Sequence, residues 1–371
     1  MKKVVKIFAI VLAIIALAVV GYLVYVLVSY ERLDDMKLPV QNIAMGHKAD
    51  EDIYGEVDKA VPVGKELMVT SYNIGFGAYS DDFTFFMDGG TESWAFSEDA
   101  VYQNIGGAMK TLRDQKPDIA LLQEVDFDAT RSYHIDENAF VAELLAADAS
   151  YDYVKAQNYN SAFLMYPLYQ PHGANKSSIM TFAKYEIESS ERIGLPIEKG
   201  LSKFLDLDRC FSKSKIKTEK GNYLVVYDFH LSAYTTDPET AQIQLKMVVE
   251  DMTNEYEKGN YCIAGGDFNC DVLGNSPEIF HTESVTYDWA QPIKHELFSY
   301  VTDLVAPYSE ETNAATCRNP NKPYEVGDYV VSVDGFIITK NVELIKSDVI
   351  DTGFKYSDHN PVYMRIILKE E

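Results

Sequence analysis

From Ile7 to Val28 the chain runs for 22 residues without a charge, built mostly of Ile, Leu, Val and Ala. At about 1.5 Å rise per residue, a helix of that length crosses a hydrocarbon layer of about 30 Å. The run therefore takes residues 1–30 out of any globular core. Lys2, Lys3 and Lys6 precede it, and Glu31, Asp34 and Asp35 follow it. A basic N-terminal flank stays cytoplasmic, so the rest of the chain is expected outside the cytoplasm. A cleaved signal peptide is the competing reading, because Ala16-Leu17-Ala18 resembles an A-x-A site. Ten more apolar or aromatic residues follow that triplet, whereas a cleavage region is short and polar. An uncleaved transmembrane anchor over residues 1–30 is the expectation. A buried core helix is the remaining alternative, and the terminal position disfavours it.

Residues 31–65 are mixed polar, with Pro39, Gly46, Gly55, Pro62 and Gly64 and no sustained periodicity. They read as a linker that holds a domain over residues 66–371 off the membrane. Charged residues make up 24% of the 371 and hydrophobic ones 47%, which excludes a disordered chain. The formal charge is −24; the anchor holds three lysines and no acid, so the remainder carries −27. Such acidity excludes a protein that retains nucleic acid by a broad basic surface. It leaves a small, locally neutralised site open. Cys210, Cys262, Cys270 and Cys317 show no zinc-like spacing. Disulfides and buried thiols are both compatible with four cysteines.

Beyond the linker, short apolar runs alternate with amphipathic ones. Leu67–Tyr72, Asp118–Leu122, Ser178–Phe182, Tyr223–Phe229, Tyr261–Ala264, Tyr329–Val333 and Val362–Leu368 read as strands. Helices are predicted over Asp99–Gln115, Asn138–Asp148 and Asp237–Lys258. The alternation favours a single layered α/β domain.

The chemistry collects where these runs end. The first ends at Asn73 and the second at Glu124, while His230 and Asp267 close two later ones. Asn269 follows Asp267 by two residues, Val330–Val333 ends at Asp334, and Asp358-His359 precedes the last run. Strand ends in layered α/β proteins border the ligand cleft. Carboxylates with Asn amides form a hard-oxygen set suited to Mg²⁺ or Mn²⁺. Two histidines add groups that carry a proton near neutral pH. Gly265 and Gly266 let backbone and substrate approach closely before Asp267. The inventory suits metal-assisted attack of water on a phosphate ester. Taken singly, each residue has an ordinary explanation as a turn former, a strand end or a half-buried histidine. Six of them in order along one chain do not.

In that order, Tyr72-Asn73, Leu122-Gln123-Glu124-Val125, Phe229-His230-Leu231, Gly266-Asp267-Phe268-Asn269, Val333-Asp334 and Ser357-Asp358-His359 resemble successive motifs of the endonuclease/exonuclease/phosphatase superfamily. That superfamily includes DNase I-like nucleases, neutral sphingomyelinases and inositol polyphosphate phosphatases. The resemblance spans about Glu66 to Leu368. It implies an α/β (α+β) four-layer sandwich, two β-sheets flanked by helices, here preceded by one N-terminal transmembrane helix. It also implies residue roles. Glu124 is the principal metal ligand with Asn73 beside it, and Asp358 touches a metal. Asp267 orients or deprotonates the attacking water, and Asn269 holds that water or a phosphate oxygen. His359, oriented by Asp334, contacts the scissile phosphate; the general base is either His359 or Asp267. His230 donates to a phosphate oxygen in the transition state. Arg131 is read either as a phosphate clamp or as a surface salt bridge.

Branch marks narrow the substrate. No Trp-Xaa-Gly-Asp-Xaa-Asn-Tyr-Arg element is present, which disfavours the inositol phosphatases, and the Trp-rich segment of apurinic endonucleases is missing. Aromatic segments at Ala78–Ala100 and Phe163–Gly173 read as packing, as base-stacking platforms or as lipid contacts. Residues 199–220 carry a local +4, either a solvated hairpin or a track for backbone phosphates. The leading expectation is a membrane-anchored, Mg²⁺- or Mn²⁺-dependent nuclease outside the cytoplasm, with no stable protein partner. A lipid phosphodiesterase acting on phospholipid head groups, of sphingomyelinase type, is the alternative. A non-catalytic binding module on the same fold is a third reading, and the intact Glu124, Asp267, Asn269 and His359 weigh against it.

Overall fold

Period-two alternation decides the layers. In the strand Ile119–Ala129, Ile119 and Leu121 face one core while Ala120 and Leu122 face another. The structure, a computed structural model, describes residues 2–51, 53–198, 208–233, 237, 239–282 and 289–370. Its strands form two seven-stranded sheets and a two-stranded ribbon. The first sheet runs Met36–Leu38, Ile187–Gly194, Cys210–Lys217, Tyr223–His230, Tyr261–Asp267, Asp334–Thr339, Thr302–Val305. The second runs Val342–Val349, Val362–Leu368, Glu66–Asn73, Ile119–Ala129, Asn175–Ala183, Tyr151–Asn160, Gln41–Ile43.

Between the sheets lies a core that includes Val69, Leu121 and Ile179 from one and Val226, Ile263 and Phe336 from the other. Helices Glu98–Asp114 and Glu137–Leu145 cover the outer face of the second sheet through Ile105, Met109, Leu112 and Val141. Helix Glu239–Glu257 covers the outer face of the first through Leu245, Val248 and Met252. The result is the four-layer sandwich expected from the motifs. Every residue of Tyr261–Asp267 is buried, as a strand covered on both faces requires. The three predicted helices form within two residues of their expected starts and within three of their expected ends. Ser97 sets the start of the first by accepting a hydrogen bond from the Ala100 N–H.

Three expectations are corrected. The stretch read as a linker contributes edge strands: Met36–Leu38 pairs antiparallel with Ile187–Gly194, and Gln41–Ile43 with Tyr151–Asn160. Three-residue strands are too short for periodicity to register. Tyr329–Val333 does not form one strand ending at Asp334. Val330–Val331 pairs in the ribbon, and Asp334 starts the strand Asp334–Thr339. That strand is antiparallel to Tyr261–Asp267, so its first residue meets the last of its neighbour, Asp267 opposite Asp334. The carboxylate reaches the same rim from the opposite chain direction. Finally, the basic island is largely neutralised: Lys213 and Lys215 pair with Glu255 and Asp251, and Lys217 with Glu188. Lys199 and Lys203 lie outside the described residues.

All four cysteines are buried and unbridged. Helix Lys2–Ser29 is long and apolar enough to cross a membrane.

Candidate active site

Two parallel strand pairs, one from each sheet, deliver their C-terminal ends to one rim. Asn73 lies level with Gln123 in the second sheet, and His230 with Asp267 in the first. Glu124 then leaves the ladder. The pairing of Ile119–Ala129 shifts register between Leu122 and Val125, and Glu124 takes the left-handed conformation at φ +54°. A bulge re-aims a side chain that regular pairing would point into a core. Such a conformation costs a non-glycine residue about 1–3 kcal/mol and recurs at functional sites.

Asn73 joins the sheets. Its Nδ2 donates to Asp267 Oδ2 at 3.1 Å and to Glu124 Oε1 at 3.3 Å. His230 Nε2 stands 3.4 Å from Asp267 Oδ2 and 3.9 Å from Glu124 Oε1. His359 Nδ1 donates to Asp334 Oδ2 at 2.7 Å, leaving Nε2 3.8 Å from Asp267 Oδ2. Ser357 Oγ donates to the Asn73 carbonyl and accepts from the His359 N–H, which ties the histidine loop to the strand Glu66–Asn73. Gly266 has no room for a side chain: a Cβ there would lie 1.9 Å from the Phe229 carbonyl oxygen. Asn269, at φ +48°, donates its Nδ2 to the Leu231 carbonyl, and its N–H caps Asp267 Oδ1 at 2.8 Å. Asn73, Glu124, His230, Asp267, Asn269, Asp334, Asp358 and His359 thus converge on one cleft.

Arg131 does not join them as a free clamp. Its Nε and Nη2 each lie 2.9 Å from a carboxylate oxygen of Asp126, and its guanidinium stacks 3.7 Å from the Phe76 ring centroid. The pair is buried, not superficial, with the Asp126 side chain fully enclosed. Arg131 lines a smaller cavity of about 60 Å³ that adjoins the cleft and shares Glu124, Arg209 and His230 with it. Among the lining residues of the cleft that carried no motif are two arginines and a cysteine. Arg209, the one described member of the basic island to line the cleft, and Arg318 both border its cavity of about 310 Å³. Cys317 Sγ lies 3.6 Å from His359 Nε2. Only the tertiary fold brings them in, since each sits in a stretch without distinctive spacing.

Burial and neighbouring charge divide the titratable groups. Burial, with the charge of Asp334, raises the Asp267 carboxyl to about 7, although His359 and the hydrogen bonds pull it down. Burial and then Glu124 raise Asp358 to about 6. Burial alone would lower His359, but Asp334 and Cys317 outweigh it and hold the imidazole well above its usual value. His230 goes the other way, kept neutral by burial and the positive charges of Arg209, His359 and Arg131.

The sequence profile of the Endonuclease/Exonuclease/phosphatase family matches residues 71–359. The chain belongs to this family. None of the curated proteins matches it. Among solved structures, an endonuclease/exonuclease/phosphatase from Beutenbergia cavernae aligns with TM-score 0.53 at 17% identity, covering 82% of this chain and 72% of that one. A family protein from Bacteroides thetaiotaomicron aligns with TM-score 0.51 at 16% identity, over 82% and 99% of the two chains. A mannosyl-6-phosphatase of the same organism gives 0.51 at 18%, over 81% and 99%. At these identities the likeness shows the fold. Members of the family are hydrolytic phosphoesterases, generally dependent on a divalent metal.

The donor set fits such an ion. Three carboxylates, Glu124, Asp267 and Asp358, line one small cleft, and buried Asp334, bonded to His359 of the same cleft, has an Oδ1 with no hydrogen-bond partner among the described residues. Grouped buried carboxylates are costly without a cation. Asp267, Asp334 and His359 place ligand atoms within 4.8 Å of one another. The Asp334–His359 hydrogen bond already commits two of those three residues.

A pH dependence follows. Asp267 and Asp358 hold protons more tightly folded than unfolded, so their contribution is present at low pH and is lost as pH rises through about 6–7, whereas His359, held well above its ordinary value, keeps its contribution through that window. His230 acts oppositely, since its depressed folded value costs stability only below its ordinary value. Above pH 7 the metal-free protein therefore bears unprotonated, uncompensated acids, which a bound divalent cation would relieve. Mg²⁺ or Mn²⁺ is expected to raise the unfolding temperature more at pH 8 than at pH 5. Equal gains at the two pH values would remove these carboxylates from the metal site.

Proposed function

We propose that this protein hydrolyses phosphodiesters by metal-assisted attack of water, with its catalytic domain held outside the cytoplasm by the uncleaved Lys2–Ser29 helix. The observation that carries the reading is the division of protonation across the cleft. Asp267, raised to about 7, is poised to take a proton from water. His359, held cationic by Asp334, is a donor and not a base. Asp267 therefore accepts the proton as the water oxygen attacks phosphorus, and the His359 Nε2–H donates to a non-bridging oxygen as charge builds there. Asn73 keeps Asp267 oriented, and neutral His230 adds a second donor beside it. A bound Mg²⁺ or Mn²⁺, held by Glu124, Asn73 and Asp358, would draw charge from the phosphate and stabilise the leaving oxygen. Arg209 lines the same cavity and supplies positive potential for an anionic ester.

The nuclease reading leaned on the basic island, whose Lys213, Lys215 and Lys217 are spent on carboxylates. The phospholipid head group is the reading favoured by a specific observation, an uncharged aromatic loop exposed beside the anchor. The test is a panel of DNA, RNA, vesicle-borne phospholipid and a soluble aryl phosphodiester, offered to the full chain with Mg²⁺ or Mn²⁺ and then with EDTA. Hydrolysis of at least one ester, abolished by EDTA, is expected. Turnover of none, or turnover indifferent to EDTA, would overturn the proposal.

A further inference from the structure

The segment Phe163–Tyr169 reads Phe-Leu-Met-Tyr-Pro-Leu-Tyr, without a charge. Water-facing loops of an acidic domain are seldom so apolar, yet Tyr166, Leu168 and Tyr169 are 71%, 79% and 70% exposed. The loop is held against the anchor helix. Tyr22 Oη donates to the Phe163 carbonyl and accepts from the Met165 N–H, and Tyr25 Oη accepts from the Phe163 N–H. Further in, Leu164 and Gly173 exchange both backbone hydrogen bonds, and the Tyr166 and Pro167 carbonyls accept from His172 and Gln170. Proline has no N–H to satisfy. Pairing the backbone at the base of the loop lowers the cost of placing it in a water-poor layer.

Helix geometry fixes the depth. Tyr22 lies six residues before Val28, about 9 Å along the axis, and Tyr25 about 4.5 Å. Were the loop clear of the membrane, the helix would keep only Ile7–Gly21 inside, about 22 Å, too short for a hydrocarbon core of about 30 Å. The joint between helix and domain is also tied down. Arg32 donates to the Leu195 carbonyl, the Gly194 N–H donates to Asp35, and Met36–Leu38 enters the first sheet.

We propose that Phe163–Tyr169 and the outer turns of the anchor helix form one surface that inserts into the outer layer of the bilayer and holds the cleft against it. Tyrosine is suited to that depth, with an apolar ring and a polar tip. The cleft is close by. Val26 of the helix packs with Tyr159, which lines the same wall as Glu124 and His230. From the loop, the Tyr166 ring packs edge-on against Phe86 with centroids 5.8 Å apart, and Phe86 packs with Phe85 and His172, two more residues of that wall. An ester carried by a lipid of that layer is therefore presented at the cleft mouth without leaving the membrane. This last step rests on the phosphodiesterase reading above; the insertion does not.

The test uses the full chain in phosphatidylcholine vesicles. A fluorophore sensitive to polarity is attached at Leu168→Cys, and for comparison at Val326→Cys, which is 97% exposed. The four native thiols are buried and stay unlabelled under native conditions. At position 168 we expect a blue shift and at least threefold stronger quenching by lipid spin-labelled near the head group than at 326. Equal access of aqueous iodide to both labels overturns the insertion. In parallel, Met165→Asp/Leu168→Asp is expected to lower turnover of the vesicle-borne phospholipid at least tenfold and to leave the soluble aryl phosphodiester unchanged. Insertion at 168 without hydrolysis of any ester defeats the phosphodiesterase reading and leaves the membrane surface standing. Insertion with hydrolysis of DNA but not of lipid overturns the assignment of a lipid-borne ester.

Discussion

Replacing Asp267 by Asn is expected to lower turnover by at least a factor of about 10³, equivalent to about 4 kcal/mol of lost transition-state stabilisation. The amide keeps the shape and can still accept from the Asn269 N–H through its one oxygen, while its NH2 faces the Asn73 donor, so the variant removes the proton acceptor together with one buried hydrogen bond. Stability should move the other way. Above pH 7 the buried Asp267 carboxylate is held ionised against a raised folded value, so at pH 8 the metal-free variant should unfold no earlier than the native protein. His359→Ala should cost a comparable factor, because it deletes the donor aimed at the phosphate and leaves Asp334 buried without its partner. The measurement is turnover on the ester identified by the substrate panel, alongside thermal unfolding of each variant. Near-native turnover in Asp267→Asn would assign proton removal elsewhere, and His359 would be next to examine.

The second large effect is on stability. Arg131→Ala should destabilise the domain by about 3–5 kcal/mol, because it strands a fully enclosed carboxylate without its counterion. Asp126 accepts two hydrogen bonds from Arg131 and a third from Ser132, and its backbone N–H donates to Glu137. Burial and the charge of Asp126 raise Glu137 well above the usual carboxyl range, so it is not an alternative charge that can be rearranged cheaply. Neutralising both partners in Asp126→Asn/Arg131→Met should cost less than the single change. Urea unfolding of the three variants distinguishes the roles. A phosphate clamp would instead give an unchanged midpoint and a raised KM.

Much of the cleft was legible in the sequence because strands carry their information locally. A run of four to seven apolar residues announces a strand, and its last polar residue lands on a rim whatever the rest of the chain does. Asn73, His230 and Asp267 follow that rule. Glu124 follows it only because a bulge turns it out of the ladder, and nothing local in Leu122-Gln123-Glu124-Val125 signals a bulge. Asp334 reached the site by the opposite geometry, as the first residue of an antiparallel strand. The edge strands at 36–38 and 41–43 were hidden for a related reason: three residues are too few for a period to be counted.

What the sequence determined by itself was the set of polar groups that meet in the cleft, the layered class of the fold and the apolar length of the N-terminal helix, all of which depend on residue type and spacing along the chain. Which groups carry protons was decided only by the tertiary structure. Asp267 and His359 are ordinary acid and base until burial removes water from the first and Asp334 stands against the second. The same holds for Arg131, whose charge reads as a ligand for phosphate until packing closes it over Asp126. Electrostatic roles depend on distance and dielectric, and those exist only once distant segments meet.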